Sequence, residues 1–352
     1  MKKKIVFLDQ RLDGGGAERV LCTIMRSLDP ASYDIHLVLV GHLGTLKHLV
    51  PDYVKVHELR IANTRKALFP FISIMRSLKP SILFSTLSRT TLLSLLARPL
   101  CPRFRVIARY PNMPSLETQE GGLSGWRRWL NIRFYRYAEV VIAQTAEMAK
   151  ELVDYYNIPS QKVKVVNNPI DTSHIDSSLV DQKSPFSTEH INVVASGRLL
   201  PQKGFDFLIK SFSEVVKSNK NYRLHILGEN INNGKNLLEG VVRSLQLSEF
   251  VTFHGYVNNP YPFYQFCDVY VLSSRWEGFP NTLLECLYLN KPIVSTRCVP
   301  IIERIVTDGE NGFLVEVGDK RGLCAAILKA SDLTGIENRL NFSINKFTDL
   351  FL

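Results

Sequence analysis

No apolar run in this chain approaches 18 residues, so none is long enough to cross a bilayer as a helix. Met1-Lys2-Lys3-Lys4 has the charge of a signal n-region. The apolar run Ile5 to Leu8 behind it stops at Asp9, too short for the core of such a signal, and no targeting segment is expected. The cysteines, Cys22, Cys101, Cys267, Cys286, Cys298 and Cys324, show no C-x-x-C spacing and mostly sit inside apolar runs. That excludes a zinc or disulfide framework and reads as core thiols of a reducing compartment. No cluster of residues has metal-ligand spacing, so no metal is expected. There is no repeat of 20–50 residues and no low-complexity tract, which excludes a solenoid. The second half lacks net charge. Residues 1–185 hold 26 Lys+Arg against 16 Asp+Glu, while the remainder holds 17 of each, so the whole excess of +10 lies in the first half. Such an excess suits an anionic partner (a membrane surface, a phosphorylated lipid or a nucleic acid) or else is a solvated basic face.

What is present is enough apolar residue for a good core. With 352 residues, 45% hydrophobic and 22% charged, a soluble protein of two ordinary domains is expected. Short β-rich runs alternate with helical patterns throughout. The expected strands of the first half are 3–9, 35–40, 54–59, 81–85, 105–109, 140–144 and 162–166. Its expected helices are 15–28, 65–78, 90–97, 125–137 and 146–155. In the second half strands are expected at 191–196, 223–227, 251–254, 269–273, 292–296 and 312–315, and helices at 205–218, 235–246, 281–289 and 321–329. This alternation predicts an α/β chain of two doubly wound parallel sheets with helices on both faces. The Ser-, Asp- and Pro-rich stretch from Asn168 to Glu189 reads as the connection. The expected domains are 1–172, a linker 173–190, and 191–335, with 336–352 crossing back to the first domain. Ligands of such sheets sit beyond the carboxyl ends of the strands, which points to the cleft between the domains.

Four segments there carry chemistry. Asp13-Gly14-Gly15-Gly16-Ala17-Glu18-Arg19 follows the first strand, and its glycines allow main-chain N–H groups to approach an anion. It is not a dinucleotide fingerprint: Arg19 stands where the third glycine would fall, and the second strand ends without an acid for a ribose. A tight turn with no ligand remains the alternative. In Ser196-Gly197-Arg198-Leu199-Leu200-Pro201-Gln202-Lys203-Gly204, Arg198 and Lys203 flank a strand-to-helix loop, placed to hold a diphosphate. Gly228 and Gly255 end two further strands and leave room for a planar group. In Ser274-Arg275-Trp276-Glu277-Gly278-Phe279-Pro280-Asn281-Thr282-Leu283-Leu284-Glu285, Pro280 opens a helix and leaves the N–H groups of Asn281, Thr282 and Leu283 available to phosphate oxygens. Glu285 falls between Leu283-Leu284 and Cys286-Leu287-Tyr288-Leu289, in a helix expected to be buried nearly all round, where an unpaired charge costs several kcal/mol. It lies about 7–8 Å along the axis from the helix start, the reach from a phosphate to a ribose diol. Glu277, in the preceding turn, reaches the far side of the phosphate.

Glu277 and Glu285 form an E-x7-E pair, and their surroundings resemble those of retaining glycosyltransferases of family 4, on the two-domain GT-B fold. Gly197-Arg198 with Lys203-Gly204, Pro292-Ile293-Val294, Glu303-Arg304-Ile305-Val306 and Asp308-Gly309-Glu310-Asn311-Gly312 are similar as well. Gly14 to Arg19 looks like the first-domain loop of bacterial polysaccharide members. The resemblance covers almost the whole chain. It implies that Glu285 bonds the ribose of a nucleotide sugar, and that Arg198 and Lys203 hold its diphosphate and stabilise the leaving charge. Glu277 would contact the transferred sugar, main chain near Gly228 and Val257 would face the base, and Gly15 and Gly16 would close over phosphates and sugar. No cofactor is implied beyond the nucleotide-diphosphate donor, such as a UDP- or GDP-sugar. The implied acceptor is a growing, lipid-linked glycan of a surface polysaccharide. The implied setting is the cytoplasm, peripheral to the inner face of an anionic membrane, with no nucleic acid partner.

Two departures from the family pattern stand out. Tyr110 occupies the position where relatives often carry a first-domain His, so Arg109 or Asn112 is the acceptor-side candidate. Cys298-Val299-Pro300 replaces two glycines before Glu303. The basic, aromatic run Trp126 to Arg136 suggests an interfacial helix, although its arginines spread around most of the helical wheel. Rival readings are a sugar-nucleotide epimerase of the same fold and a noncatalytic sugar-nucleotide-binding protein.

Overall fold

A computed structural model describes residues 2–115, 129, 132–336 and 345–351. The chain divides into two compact units, Met1–Ile170 with Phe342–Leu352, and Asp171–Asn341.

The first unit is a seven-stranded parallel sheet: β1 (Lys3–Asp9), β2 (Tyr33–Leu39), β3 (Lys55–Glu58), β4 (Ile82–Ser85), β5 (Arg105–Arg109), β6 (Val140–Ala143) and β7 (Val163–Val165), in the order β3-β2-β1-β4-β5-β6-β7. β1 is an interior strand, with Ile5 opposite Ile35 on one side and Ile82 on the other. Ile5 to Leu8 are fully buried, because helices cover both faces and the strand must be apolar throughout rather than alternating. The strand order reverses between β1 and β4, so the switch point of this sheet lies beyond Asp9 and Ser85. The segments Asn345–Thr348 and Asp349–Phe351 also belong to this unit. The Phe351 ring stands 5.8 Å from both Phe7 and Phe84, and Lys3 Nζ donates to the Phe351 carbonyl at 2.7 Å. Of the basic-aromatic helix expected from Gly125 to Tyr137, residues 125–128, 130 and 131, with Trp126, Arg127 and Arg128, lie outside the described residues, and Ile132 to Phe134 are helical. Tyr135–Tyr137 is a single tight turn instead of α-helix.

The second unit is a six-stranded parallel sheet: β8 (Ile191–Ser196), β9 (Tyr222–Leu227), β10 (Val251–Gly255), β11 (Val269–Leu272), β12 (Ile293–Thr296) and β13 (Gly312–Val315), in the order β10-β9-β8-β11-β12-β13. The helices Phe205–Ser218 and Lys320–Ala330 supply Leu208, Phe212, Leu323 and Ile327 to one core beneath it. The switch point falls between β8 and β11. The stretch 173–190, expected as linker, departs from expectation. Residues Thr172–Leu179 form a helix, with the Asp171 side chain accepting from His174 N at 2.9 Å and Ile175 fully buried. Its two turns are too short to show an apolar period, and one buried residue holds them. Tyr261–Phe266 is likewise an unforeseen short helix, held by burial of Tyr261 and Tyr264.

Candidate active site

The second unit brings together two loops at the carboxyl ends of β8 and β11. The first runs from Gly197 through the tight turn Pro201–Lys203 to Gly204, and the second from Ser273 to Pro280. Main-chain and side-chain bonds lace them. Ser273 Oγ donates to the Lys203 carbonyl at 2.8 Å, Arg275 N to the Gln202 carbonyl at 2.7 Å, and Gln202 Nε2 to the Trp276 carbonyl at 3.1 Å. The Arg275 guanidinium forks onto both oxygens of Asp206 at 2.9 and 2.8 Å, fixing the second loop to the helix that follows the first. From the end of β12, Thr296 Oγ1 donates to the Ser274 carbonyl at 2.6 Å. Gly204 has φ 64°, and a Cβ there would run into the Ser273 carbonyl oxygen, so only glycine permits the approach.

That lacing sets Lys203 against Glu277. Lys203 Nζ lies 2.6 Å from Glu277 Oε1, and Ser274 Oγ donates to the same oxygen at 2.6 Å. Both side chains are mostly withdrawn from water, at 19% and 8% exposure. Among the described residues, no bond is made to Glu277 Oε2. Cys298 lies close by, and burial pushes its thiol up to about 12, with the Glu277 charge adding to the rise, so it is an inert neighbour. Arg198, at the head of the first loop, is exposed and makes no side-chain hydrogen bond or ion pair among the described residues. Gly228 sits against this head: its N–H donates to the Gly255 carbonyl at 2.7 Å, and a Cβ on it would meet the Gly197 carbonyl oxygen. Val257, two residues past Gly255, is half-buried.

The helix Asn281–Tyr288 corrects two expectations. It is not buried all round. Leu283, Leu284, Cys286 and Leu287 are buried, whereas Asn281, Glu285 and Tyr288 share a half-exposed stripe at helical spacing. Glu285 is therefore on the open face, and Glu277 is the more deeply buried carboxylate. Nor are three N–H groups free at the helix start. Pro280 enters with ψ 74°, and the tight entry lets Asn281 N donate to the Phe279 carbonyl at 3.0 Å and Leu283 N to the Pro280 carbonyl at 3.1 Å. Of the three, only the Thr282 N–H makes no main-chain bond.

The first unit disposes its candidates differently. Gly15 is the residue before the helix Gly16–Ser27, and the Glu18 carboxylate folds back against it, at the positive end of the helix. The acceptor-side candidate Arg109 is 1% exposed and Tyr110 is fully buried, so neither side chain lies on the surface. Asn112 is half-buried. Arg109 Nη2 donates to Asn168 Oδ1 at 2.6 Å, and Asn168 Nδ2 donates to Gln144 Oε1 at 2.9 Å. Asp9, fully buried at the end of β1, accepts from Gln10 N at 2.6 Å and Thr86 Oγ1 at 2.9 Å. A strand-end Arg reads as solvated in sequence because its partner Asn168 is 59 residues away.

Burial pushes the Asp9 carboxyl up to about 7, with Glu18 adding to the rise and the Thr86, Gln10 and Arg109 contacts only partly opposing it. The folded pKa is raised above the unfolded value of 3.8, so the folded state binds the extra proton. Stability is complete below 3.8 and is lost as pH rises towards 7, by on the order of 4 kcal/mol. Asp9→Asn is expected to unfold at a higher temperature than wild type at pH 8 and to show no gain near pH 4. Thermal melts at the two pH values check this; a variant less stable at pH 8 would show that the charge is needed.

Among the described residues, no group of three His, Cys, Asp or Glu side chains is placed to hold a metal ion, and no helix is long and apolar enough to cross a membrane. Sequence reading missed Arg275, Asp206 and Ser274 as the residues that seat Glu277. The signal available was the position of Arg275 and Ser274 two and three residues before that glutamate.

The two doubly wound parallel sheets share the GT-B fold of the solved glycosyltransferase structures on which the chain superposes. Residues 14–174 match the family model of Glycosyltransferase Family 4, and residues 176–347 match that of Glycosyl transferases group 1. Together the two take in almost the whole chain, and it belongs to this glycosyltransferase family. An uncharacterized glycosyltransferase of Methanocaldococcus jannaschii is 36% identical over 172 residues, covering 47% of this chain but only 41% of that protein. The N-acetylgalactosamine-N,N'-diacetylbacillosaminyl-diphospho-undecaprenol 4-alpha-N-acetylgalactosaminyltransferase of Campylobacter jejuni is 25% identical, over 92% of this chain and 88% of its own. Among solved structures, Anabaena Alr3699/HepE in complex with UDP-glucose superposes with a TM-score of 0.77 at 19% identity, over 94% of this chain and 90% of that one. At that identity the likeness is one of fold.

Proposed function

We propose that this glycosyltransferase moves a sugar, with retention of anomeric configuration, from a nucleotide-diphosphate donor to a growing lipid-linked glycan of a surface polysaccharide. The observation that carries the reading is the Lys203–Glu277 pair with the exposed Arg198, which makes no side-chain bond among the described residues, at the switch point of the second sheet, with Glu285 on an open helix stripe. Departure of a nucleoside diphosphate builds negative charge on its phosphate oxygens. Arg198 and the remaining N–H groups of Lys203 are the cations placed to stabilise it. Glu277 Oε1 is held by two donors, which leaves Oε2 to accept from hydroxyls of the transferred sugar. Glu285 accepts from the ribose, and main chain at Gly228 and Val257 faces the base. This assignment calls for no metal ion or further cofactor. The lipid-linked acceptor rests on the activity of the Campylobacter relative.

A thermal-shift panel of nucleotide sugars identifies the donor, because a specific ligand stabilises the fold by mass action. Proton NMR of the product then reads the anomeric configuration. Transfer with an inverted anomer overturns retention, and a donor altered without any acceptor marks an epimerase instead.

An anionic membrane surface is part of the same reading. Phe69 is 76% exposed and Tyr137 58% exposed on the first unit, which carries the whole basic excess. Arg76 Nε donates to the Leu100 carbonyl, holding a cation beside that exposed leucine, whereas Arg98, which reaches the Tyr137 carbonyl, is paired with Glu139. The full chain is expected to sediment with vesicles containing anionic lipid and to be released by high salt. Equal binding to neutral vesicles would contradict the assignment.

A further inference from the structure

Beneath the donor loops four hydroxyl groups form one chain. Tyr264 donates to Ser196 Oγ at 2.9 Å, Ser196 and Tyr270 are 3.0 Å apart, and Tyr270 donates to Thr282 Oγ1 at 2.7 Å. Tyr264 and Tyr270 are essentially excluded from water, and Ser196 is 8% exposed. Ser196 ends β8 just before Gly197-Arg198, Tyr270 lies on β11, and Thr282 is in the first turn of the helix that carries Glu285. The chain therefore ties both donor loops together from below.

Its direction is fixed by counting hydrogens. A tyrosine hydroxyl has one hydrogen and accepts through its oxygen. Tyr264 gives its hydrogen to Ser196 and Tyr270 gives its own to Thr282, so the middle bond must run from Ser196 to Tyr270. Burial holds both tyrosines well above their ordinary pKa, so they stay protonated donors. Every bond then points the same way and each strengthens the next. At the end, Thr282 accepts, and no acceptor for its own O–H occurs among the described residues. The N–H of the same residue also lacks a main-chain partner.

We propose that Tyr270 is a positioning residue of the donor site, which fixes the Thr282 hydroxyl as an outward donor to the diphosphate of the nucleotide. This rests on the donor-site reading above. Tyr270→Phe removes two of the three bonds at constant shape. The effect belongs to donor binding, so it appears in donor KM rather than kcat.

The test is calorimetric titration of UDP and of GDP into the full chain. Tyr270→Phe and Thr282→Val are each expected to weaken the better nucleotide by about fivefold, the effect of one neutral hydrogen bond. The double variant should lose little more than Thr282→Val alone, since both act through one hydroxyl. Thr282→Ser restores the hydroxyl and should recover most of the loss. Unchanged affinity in Tyr270→Phe with a lowered melting temperature would reduce the chain to a structural one and overturn the proposal. So would losses that simply add. Should Tyr270→Phe fail to fold, Tyr264→Phe, at the far end, is expected to weaken binding two- to threefold, and unchanged affinity there overturns the proposal equally. A wild type that binds neither nucleotide overturns the donor-site reading itself, and this inference with it.

Discussion

Lys203→Ala is expected to lower turnover by about 10²–10³-fold, the range seen when one preorganised charge donor to a developing anion is removed. Lys203 is the half-buried cation that holds Glu277 and cannot be replaced by Arg198, which heads the other end of the loop. A second effect accompanies the first. Glu277 is 8% exposed at its side chain, and without Lys203 its carboxylate keeps only the Ser274 hydroxyl on Oε1. An abandoned buried charge costs a few kcal/mol, so the variant should also melt lower. Combining Lys203→Ala with Glu277→Gln removes that charge. The double variant should regain stability and none of the turnover. Thermal melts and initial rates with the donor separate the two effects. Recovery of activity along with stability would show that Lys203 matters only for folding.

Glu285→Gln is expected to raise donor KM by about 10- to 100-fold, the loss of hydrogen bonds to a charged acceptor, with the fold intact. Where this glutamate sits decides the accompanying stability change. A carboxylate buried in an apolar helix would be relieved by glutamine, and the variant would melt higher. On the half-exposed stripe with Asn281 and Tyr288, no such relief is available, and the variant should not melt higher than wild type. Kinetics and a melt on the same preparation check both halves. A stabilised variant with unchanged donor KM would contradict the ribose assignment.

The sheets were legible because buried parallel strands leave continuous apolar runs between turn residues, as Ile5 to Leu8 do. Short elements were not. Thr172–Leu179 and Tyr261–Phe266 have too few turns for a period, and tertiary burial of Ile175 or Tyr264 decides them. Within the site, the residue types were legible while their burial was not. Leucines flanking Glu285 suggested a wholly buried helix, yet helical spacing places Glu285 with the two polar residues of the open face. The bond between Lys203 and Glu277 spans 74 residues, and so does the Gln202 contact to Trp276. Only the return of β11 beside β8 brings them together. Arg109 shows the same limit in the first unit, where Asn168 and the buried Asp9 give a strand-end cation an interior place.

The central claim is that the cluster Arg198, Lys203, Glu277 and Glu285 is the donor site. Calorimetric titration of the donor found by the panel, into wild type, Arg198→Ala and Glu285→Gln, tests it most directly. The account predicts a single site in wild type and affinities at least tenfold weaker in both variants, with melting temperatures close to wild type. Donor binding of wild-type strength in either folded variant would contradict it.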